Sequence, residues 1–243
     1  MSTLAAVCAC GEYFNVSAEG ELCLNPGTMG LRQTLYFRTP GASQFRASDY
    51  PWLARIKVKV QGAGGGSGGA DSDPGESIPR PGAAAGGYSE SLLEVGTLGA
   101  VETVVVGDGG AAGVGNNAGG AGGNSSFGGI VTAFGGAGGS ANTLSGTTNV
   151  TANGISGAGS GAGQFAIGGG AGEGAIRISA SQGMSGRGGD SMLGFGGFGR
   201  TTTGVGGGTR GWGAGAGGAF SFNGASVNGT EGANGTVIIE LYG

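Results

Sequence analysis

Between Leu53 and Val60 the chain alternates apolar and basic residues (Leu53-Ala54-Arg55-Ile56-Lys57-Val58-Lys59-Val60), the pattern of a half-buried strand. Its polar face, Arg55, Lys57 and Lys59, reads either as a solvated strand face or as an edge that docks an acidic partner. Upstream, Leu31 to Arg38 is rich in strand formers and stops at Pro40-Gly41, a turn signal. Four further runs read as short strands: Ser91–Val95, Val101–Val106, Ala175–Ile178 and Val237–Leu241.

The text between those runs is dominated by glycine. Of 65 glycines in 243 residues, only Gly11, Gly20, Gly27, Gly30 and Gly41 precede Gly62. This shift divides the chain into a β-rich segment, 1–61, and a glycine-rich domain, 62–243. Within the second part glycine recurs at every third position and then loses phase: Gly62, Gly65, Gly68; Gly107, Gly110, Gly113; Gly119, Gly122; Gly183, Gly186, Gly189; Gly229, Gly232, Gly235. Three residues make one turn of a polyproline II helix, which has no internal hydrogen bonds. Several such helices side by side satisfy one another's backbone groups, provided glycine faces each contact. The expected fold is therefore mainly irregular and β, with packed polyglycine II helices, short flanking strands and little or no α-helix. Phe127, Phe134, Phe165, Phe195, Phe198, Phe220 and Trp212 are placed to seal its core. A flexible Gly/Ser linker is the competing reading, opposed by the Phe, Val and Ile residues spaced through the blocks.

Composition removes several alternatives. Collagen needs a strict Gly-X-Y period with abundant proline, and here all six prolines lie at or before Pro81. Histidine is absent, which excludes His-based nucleophile systems and His-liganded metals. Net charge is −4 and the lysines are Lys57 and Lys59 alone, so a surface that tracks nucleic-acid phosphates is not expected. No apolar run reaches the ~18 residues of a membrane span, and the start, MSTLAAVCAC, lacks the basic region of a signal peptide. Cys8, Cys10 and Cys23 have no CxxC spacing and read as buried free thiols.

Candidate chemistry is thin. Partial G-x-G-x-x-G matches at Gly107 and Gly113 put alanine where the last glycine belongs, and no Gly-Lys-Ser/Thr follows any of them. Asp71, Asp73 and Glu76 form an acidic turn without the EF-hand pattern. No catalytic residue, cofactor or metal is expected. What remains are the loops between glycine blocks: 70–85, 140–156, 200–204 and 220–228. Rigid scaffolds commonly present function on loops. The expected contact residues are Phe198, Arg200, Thr201, Thr202, Thr203, Arg210, Trp212, Phe220, Phe222 and Asn223. For each aromatic among them, a plug in the core is the alternative role.

The stretch from Thr39-Pro40-Gly41 through Ala54 to Gly69 resembles the entry into the glycine-rich domains of bacteriophage tail fibres, where a strand of valines and basic residues runs straight into a glycine block. Gly86-Gly87-Tyr88-Ser89-Glu90, Val101 to Gly110, Gly122 to Gly128, Gly135 to Gly139 and the ending Gly232 to Gly243 fit the same order of blocks. The resemblance covers about residues 39–243. It implies a non-enzymatic virion protein: a tail fibre, minor tail or distal adhesin subunit similar to those of T-even-like phages. By that likeness polyglycine II helices form a sandwich, and loops at one end contact a bacterial surface glycan or outer-surface protein. Residues 1–61 would dock onto other tail proteins. The protein would be made in the host cytoplasm and carried on the virion, in several copies of a one-chain domain, without nucleic acid or membrane insertion. A purely structural virion or surface component is the alternative, and an ice-binding protein a third.

Overall fold

The computed structural model describes residues 14–25 and 30–243. Cys8 and Cys10 lie outside the described residues; Cys23, on the strand Leu22–Leu24, is a half-buried free thiol. Among the described residues there are strands, two single-turn 3-10 helices (Ala47–Asp49 and Val95–Thr97) and no α-helix.

Two antiparallel sheets form one end. The larger has the order Phe165–Ile167, Tyr88–Glu94, Arg55–Gln61, Thr236–Tyr242, Leu31–Phe37. The smaller runs Val131–Ala133, Ser125–Phe127, Glu102–Val106, Gly41–Phe45. Alternation turns Ile56, Val58, Val60, Val237, Ile239 and Leu241 inward from the first sheet, against Phe45, Val104, Phe127 and Val131 from the second. The first sheet crosses residue 61, since the Leu31–Phe37 strand pairs with the Thr236–Tyr242 strand beyond the last glycine block.

Arg55–Gln61 is a central strand, flanked on both sides, so the expected alternative of a docking edge is ruled out. Its lysines are not a free basic stripe either. Lys57 pairs with Glu90 at 3.2 Å and Lys59 with Glu240 at 2.5 Å, the carboxylates also accepting from the Tyr88 and Tyr242 hydroxyls. Glu90 sits below its ordinary pKa of 4.5, chiefly through the Tyr88 hydrogen bond and against the effect of burial.

From the sheets the chain runs out and back in extended glycine stretches. Along 62–69 the hydrogen-bond partner changes with every residue and returns every third. Gly62 and Gly65 donate to the carbonyls of Gly87 and Ala84; Ala63, Gly66 and Gly69 donate to Gly123, Gly120 and Asn117; Gly64 and Ser67 donate to Ala233 and Thr230. The carbonyls of this stretch accept from Gly110 and Gly113, from Gly136 and Gly139, and from Ala216. It is thus bonded to six neighbouring stretches. Residues 82–87 behave likewise, donating in rotation to Glu173, Ala216, Ala137, Gly170, Gly213 and Phe134. A third stretch, 213–219, takes its partners from Gly65, 80–86, 186–189, 197, 207 and 233–234. All three are buried along their length, with alanine methyls (Ala63, Ala83, Ala84, Ala85, Ala214, Ala216) filling the gaps between backbones. The period of three in the sequence is therefore also the period of the partners: Gly229, Gly232 and Gly235 all donate to one neighbour, at Gly113, Gly110 and Gly107. Close approach demands glycine here, because a Cβ on Gly65 would overlap the carbonyl of Ala137.

Two expectations change. Residues 70–85 are a loop only in part, because Ser77–Pro79 pairs with Phe220–Phe222 and the residues that follow enter the buried second stretch. Of the aromatics expected to seal the core, Phe127 and Phe220 are buried, whereas Phe134, Phe165, Phe195 and Phe198 are exposed. The central stretches of the array pack backbone and methyl groups against one another, which leaves no space between them for rings; Phe220 is buried where the stretch 213–219 ends.

Candidate functional site

Each outbound stretch turns at the end opposite the sheets, where the turns at 71–76, 114–118, 140–149, 178–182, 200–204 and 223–225 collect. They bind one another directly. Asn116 Oδ1 accepts from the Asp71 amide at 2.8 Å and Asn223 Oδ1 from the Gly75 amide at 2.9 Å, while Ser145 Oγ accepts from the Asp73 amide at 2.9 Å. Asn223 and Gly224 both take positive φ (56° and 74°), the left-handed pair of a tight turn that Asn-Gly forms readily.

Two arginines fix this end from beneath. Arg80, fully buried, donates from Nε to the Gly69 carbonyl (2.6 Å), from Nη1 to Thr143 (2.7 Å) and from Nη2 to Asn116 Oδ1 (2.7 Å). Its acceptors are all neutral, and burial pulls its pKa down to about 10. Arg177 donates to the carbonyls of Ser77, Leu144 and Thr148. Burial lowers its pKa as well, opposed by the charge of Glu76. Together they hold the backbone of 140–149, at whose tip Leu144 is 79 % exposed. Val114 and Ile178 are exposed on the adjoining turns.

The ten residues expected to make contacts separate into groups. Thr201, Thr202 and Thr203 are exposed on their turn at the loop end. Gly204 exchanges two backbone hydrogen bonds with Phe220, so this turn lies beside Phe222 and Asn223. Phe220 is buried and serves as a plug. Trp212 belongs to the sheet end, with the Arg38 guanidinium 5.9 Å from its ring. Phe198, Arg200 and Arg210 lie along the flank of the array. Arg200 stacks over Phe198 at 5.2 Å and donates to the Val205 carbonyl at 2.7 Å.

That flank carries two adjoining grooves, of about 300 Å³ and 360 Å³, with Phe195 and Arg210 in both walls. Phe195 and Arg210 are direct cross-strand partners. Sequence reasoning missed Phe195 as a surface residue, along with Arg187, Met192 and the two buried arginines. For Arg80 a signal existed: a lone charge between Pro79 and Pro81 in otherwise apolar, glycine-rich text. No group of three or more His, Cys, Asp and Glu side chains converges among the described residues.

A β-sandwich continued by a hydrogen-bonded array of glycine stretches, with loops at its far end, defines an all-β glycine-array protein. The chain belongs to the glycine-rich domain family, whose model matches residues 39–242. No curated protein matches it.

Proposed function

We propose that this chain is a non-enzymatic phage virion protein, a tail fibre, minor tail or distal adhesin subunit, that presents loops for recognition of the host cell surface. The observation that carries the reading is the gathering of six turns at one end of the array, tied to each other and to Arg80 and Arg177. Loops ordered in advance bind at a lower entropic cost than loops that must be ordered by their ligand. The stretches beneath them are read as polyglycine II helices, because their partners rotate with a period of three and each central stretch has six neighbours. Residues 1–61 would face the other tail proteins, together with the sheet end, which lies opposite the loops. The receptor would be a bacterial surface glycan or outer-surface protein.

Purified protein should bind susceptible bacterial cells and compete with phage for adsorption. Replacing Thr201–Thr203 by Gly-Ser-Gly, or Leu144 by Asp, should weaken binding while the melting temperature stays within a few degrees of wild type. Failure of the wild-type protein both to bind and to compete would leave the purely structural role. Unchanged binding in both variants would move the contact away from these loops.

A further inference from the structure

We infer that the flank groove between Phe198 and Arg210 is a binding site for an anionic saccharide, carrying a carboxylate or a phosphate. The floor of the groove is glycine, Gly196 and Gly208, so nothing rises from its base. Its walls are Phe195 and Phe198, 67 % and 56 % exposed, with Met192 exposed beyond Phe195. Large apolar surfaces grouped and rimmed by polar residues mark interaction sites. Flat aromatic faces beside a shallow glycine floor suit the C–H faces of a sugar ring.

The charges set the sign of the ligand. Arg187 is committed to Asp190 at 2.6 Å, and Asp190 also accepts from the Gly196 amide at 2.7 Å. Arg200 is held over Phe198 by the Val205 carbonyl. The Arg210 side chain, exposed beside Phe195, makes no hydrogen bond or ion pair among the described residues. A planar guanidinium with open donors matches a carboxylate or phosphate bidentately. In a chain of net charge −4, a groove lined by two arginines, of which only Arg187 is paired with a carboxylate (Asp190), stands against the prevailing sign. A neutral glycan would cover the rings but leave Arg210 unanswered.

The inference deepens the adhesin reading by naming ligand chemistry, but its test is separate, since it uses soluble sugars and no cells. The full chain is titrated by calorimetry with a tetragalacturonate, with a phosphorylated mannose oligosaccharide and with neutral maltotetraose. At least one anionic probe is expected to bind, and maltotetraose at least about tenfold more weakly, the weight of one charge-assisted contact. The anionic probe that binds more tightly distinguishes a carboxylate from a phosphate ligand. Arg210→Ala should lower that affinity about tenfold. Gly208→Phe should abolish it without unfolding the protein, because a Cβ at Gly208 meets nothing within 4 Å. Equal affinity for charged and neutral probes, binding of neither anionic probe, or wild-type affinity in Gly208→Phe would each overturn the site. If neither anionic probe binds while the protein still adsorbs to cells, the adhesin reading survives and this groove drops out of it.

Discussion

The two halves of this molecule solve the burial problem in opposite ways. In the sandwich, side chains do the work: Ile56, Val58, Val60, Ile239 and Leu241 interdigitate with Phe127 and Val104, and the stabilisation scales with apolar area removed from water. In the array the side chains are mostly absent, and the backbone itself is the interior. Each amide there must find a carbonyl on another stretch, because a buried unpaired N–H costs about as much as a lost hydrogen bond. Ordering glycine is also entropically expensive. The array answers both demands with partners on six sides, whereas a sheet strand bonds on two. A sandwich therefore tolerates imperfect packing by relaxing side chains, while the array has only backbone to move.

The largest expected effect follows from that difference. Gly65→Ala places one methyl against the Ala137 carbonyl, and the backbones on both sides of that contact are pinned by further bonds. A loss of about 4 kcal/mol or more is expected, in the exceptional range for one substitution. Chemical denaturation measures it; a loss below ~1 kcal/mol would show that the array yields like a side-chain core. The matching test in the sandwich is Ile239→Ala, a fully buried side chain. It should cost about 3 kcal/mol, through transfer and cavity terms, because the loss of three heavy atoms is felt less abruptly than the gain of one forbidden methyl.

Next in size is Arg80→Met, which keeps the volume but takes the guanidinium from the Gly69 and Thr143 carbonyls and leaves Asn116 Oδ1 with the Asp71 amide alone. About 2 kcal/mol is expected, as removal of a buried charge offsets part of the loss. Hydrogen exchange should rise in 114–118 and 140–149 with the sandwich amides unaffected. An even rise across the chain would mean that the loop end and the sheets open together.

How much of this could be read from sequence follows the same division. The long strands at Leu31, Arg55, Glu102 and Thr236 announce themselves through alternation and β-branched residues, and Gly62 marks where the strand Arg55–Gln61 gives way to the first glycine stretch. The glycine phases also survive as partner directions, as at Gly229, Gly232 and Gly235. What sequence could not supply is which stretch neighbours which. All the blocks are nearly the same text, so nothing local distinguishes the central 82–87 from its surroundings. That is why 70–85 read as a loop. The aromatics misled for a related reason: in ordinary domains a Phe among small residues goes inside, but here the central stretches pack backbone and methyls, a ring such as Phe220 is buried only at the loop end, and Phe195 and Phe198 remain on the flank. Arg80 and Arg177 were hidden because their value lies in carbonyls 11 to 100 residues away along the chain.

Smaller again is the pH response of the sheet's ion pairs. Burial pushes the Glu240 pKa up, but hydrogen bonds from Lys59 and Tyr242 outweigh it and leave the group below 4.5, as Glu90 also is. Carboxylates with lowered native pKa values contribute stability above the unfolded pKa and lose it as pH falls through the native one. Stability should thus decline below about pH 4.5. Both groups are largely solvent-screened, so the loss is modest. Glu240→Gln should flatten the decline; a slope that persists in the Glu90→Gln, Glu240→Gln double variant would place the acid-sensitive carboxylates elsewhere.

The smallest effect completes the comparison inside the glycine-rich half itself. Gly208 lies on the groove floor, with nothing within 4 Å of a Cβ built there and no left-handed φ to oppose a side chain. Gly208→Ala should change stability by no more than about 0.5 kcal/mol, and reduced freedom in the unfolded chain favours a slight gain. The contrast with Gly65→Ala is the informative quantity, because the substitution is identical and only the surroundings differ. If both variants were equally harmful, conformational freedom of glycine would be the common requirement. If only Gly65→Ala is harmful, the requirement is close approach of backbones, met in the array interior and absent on its flank.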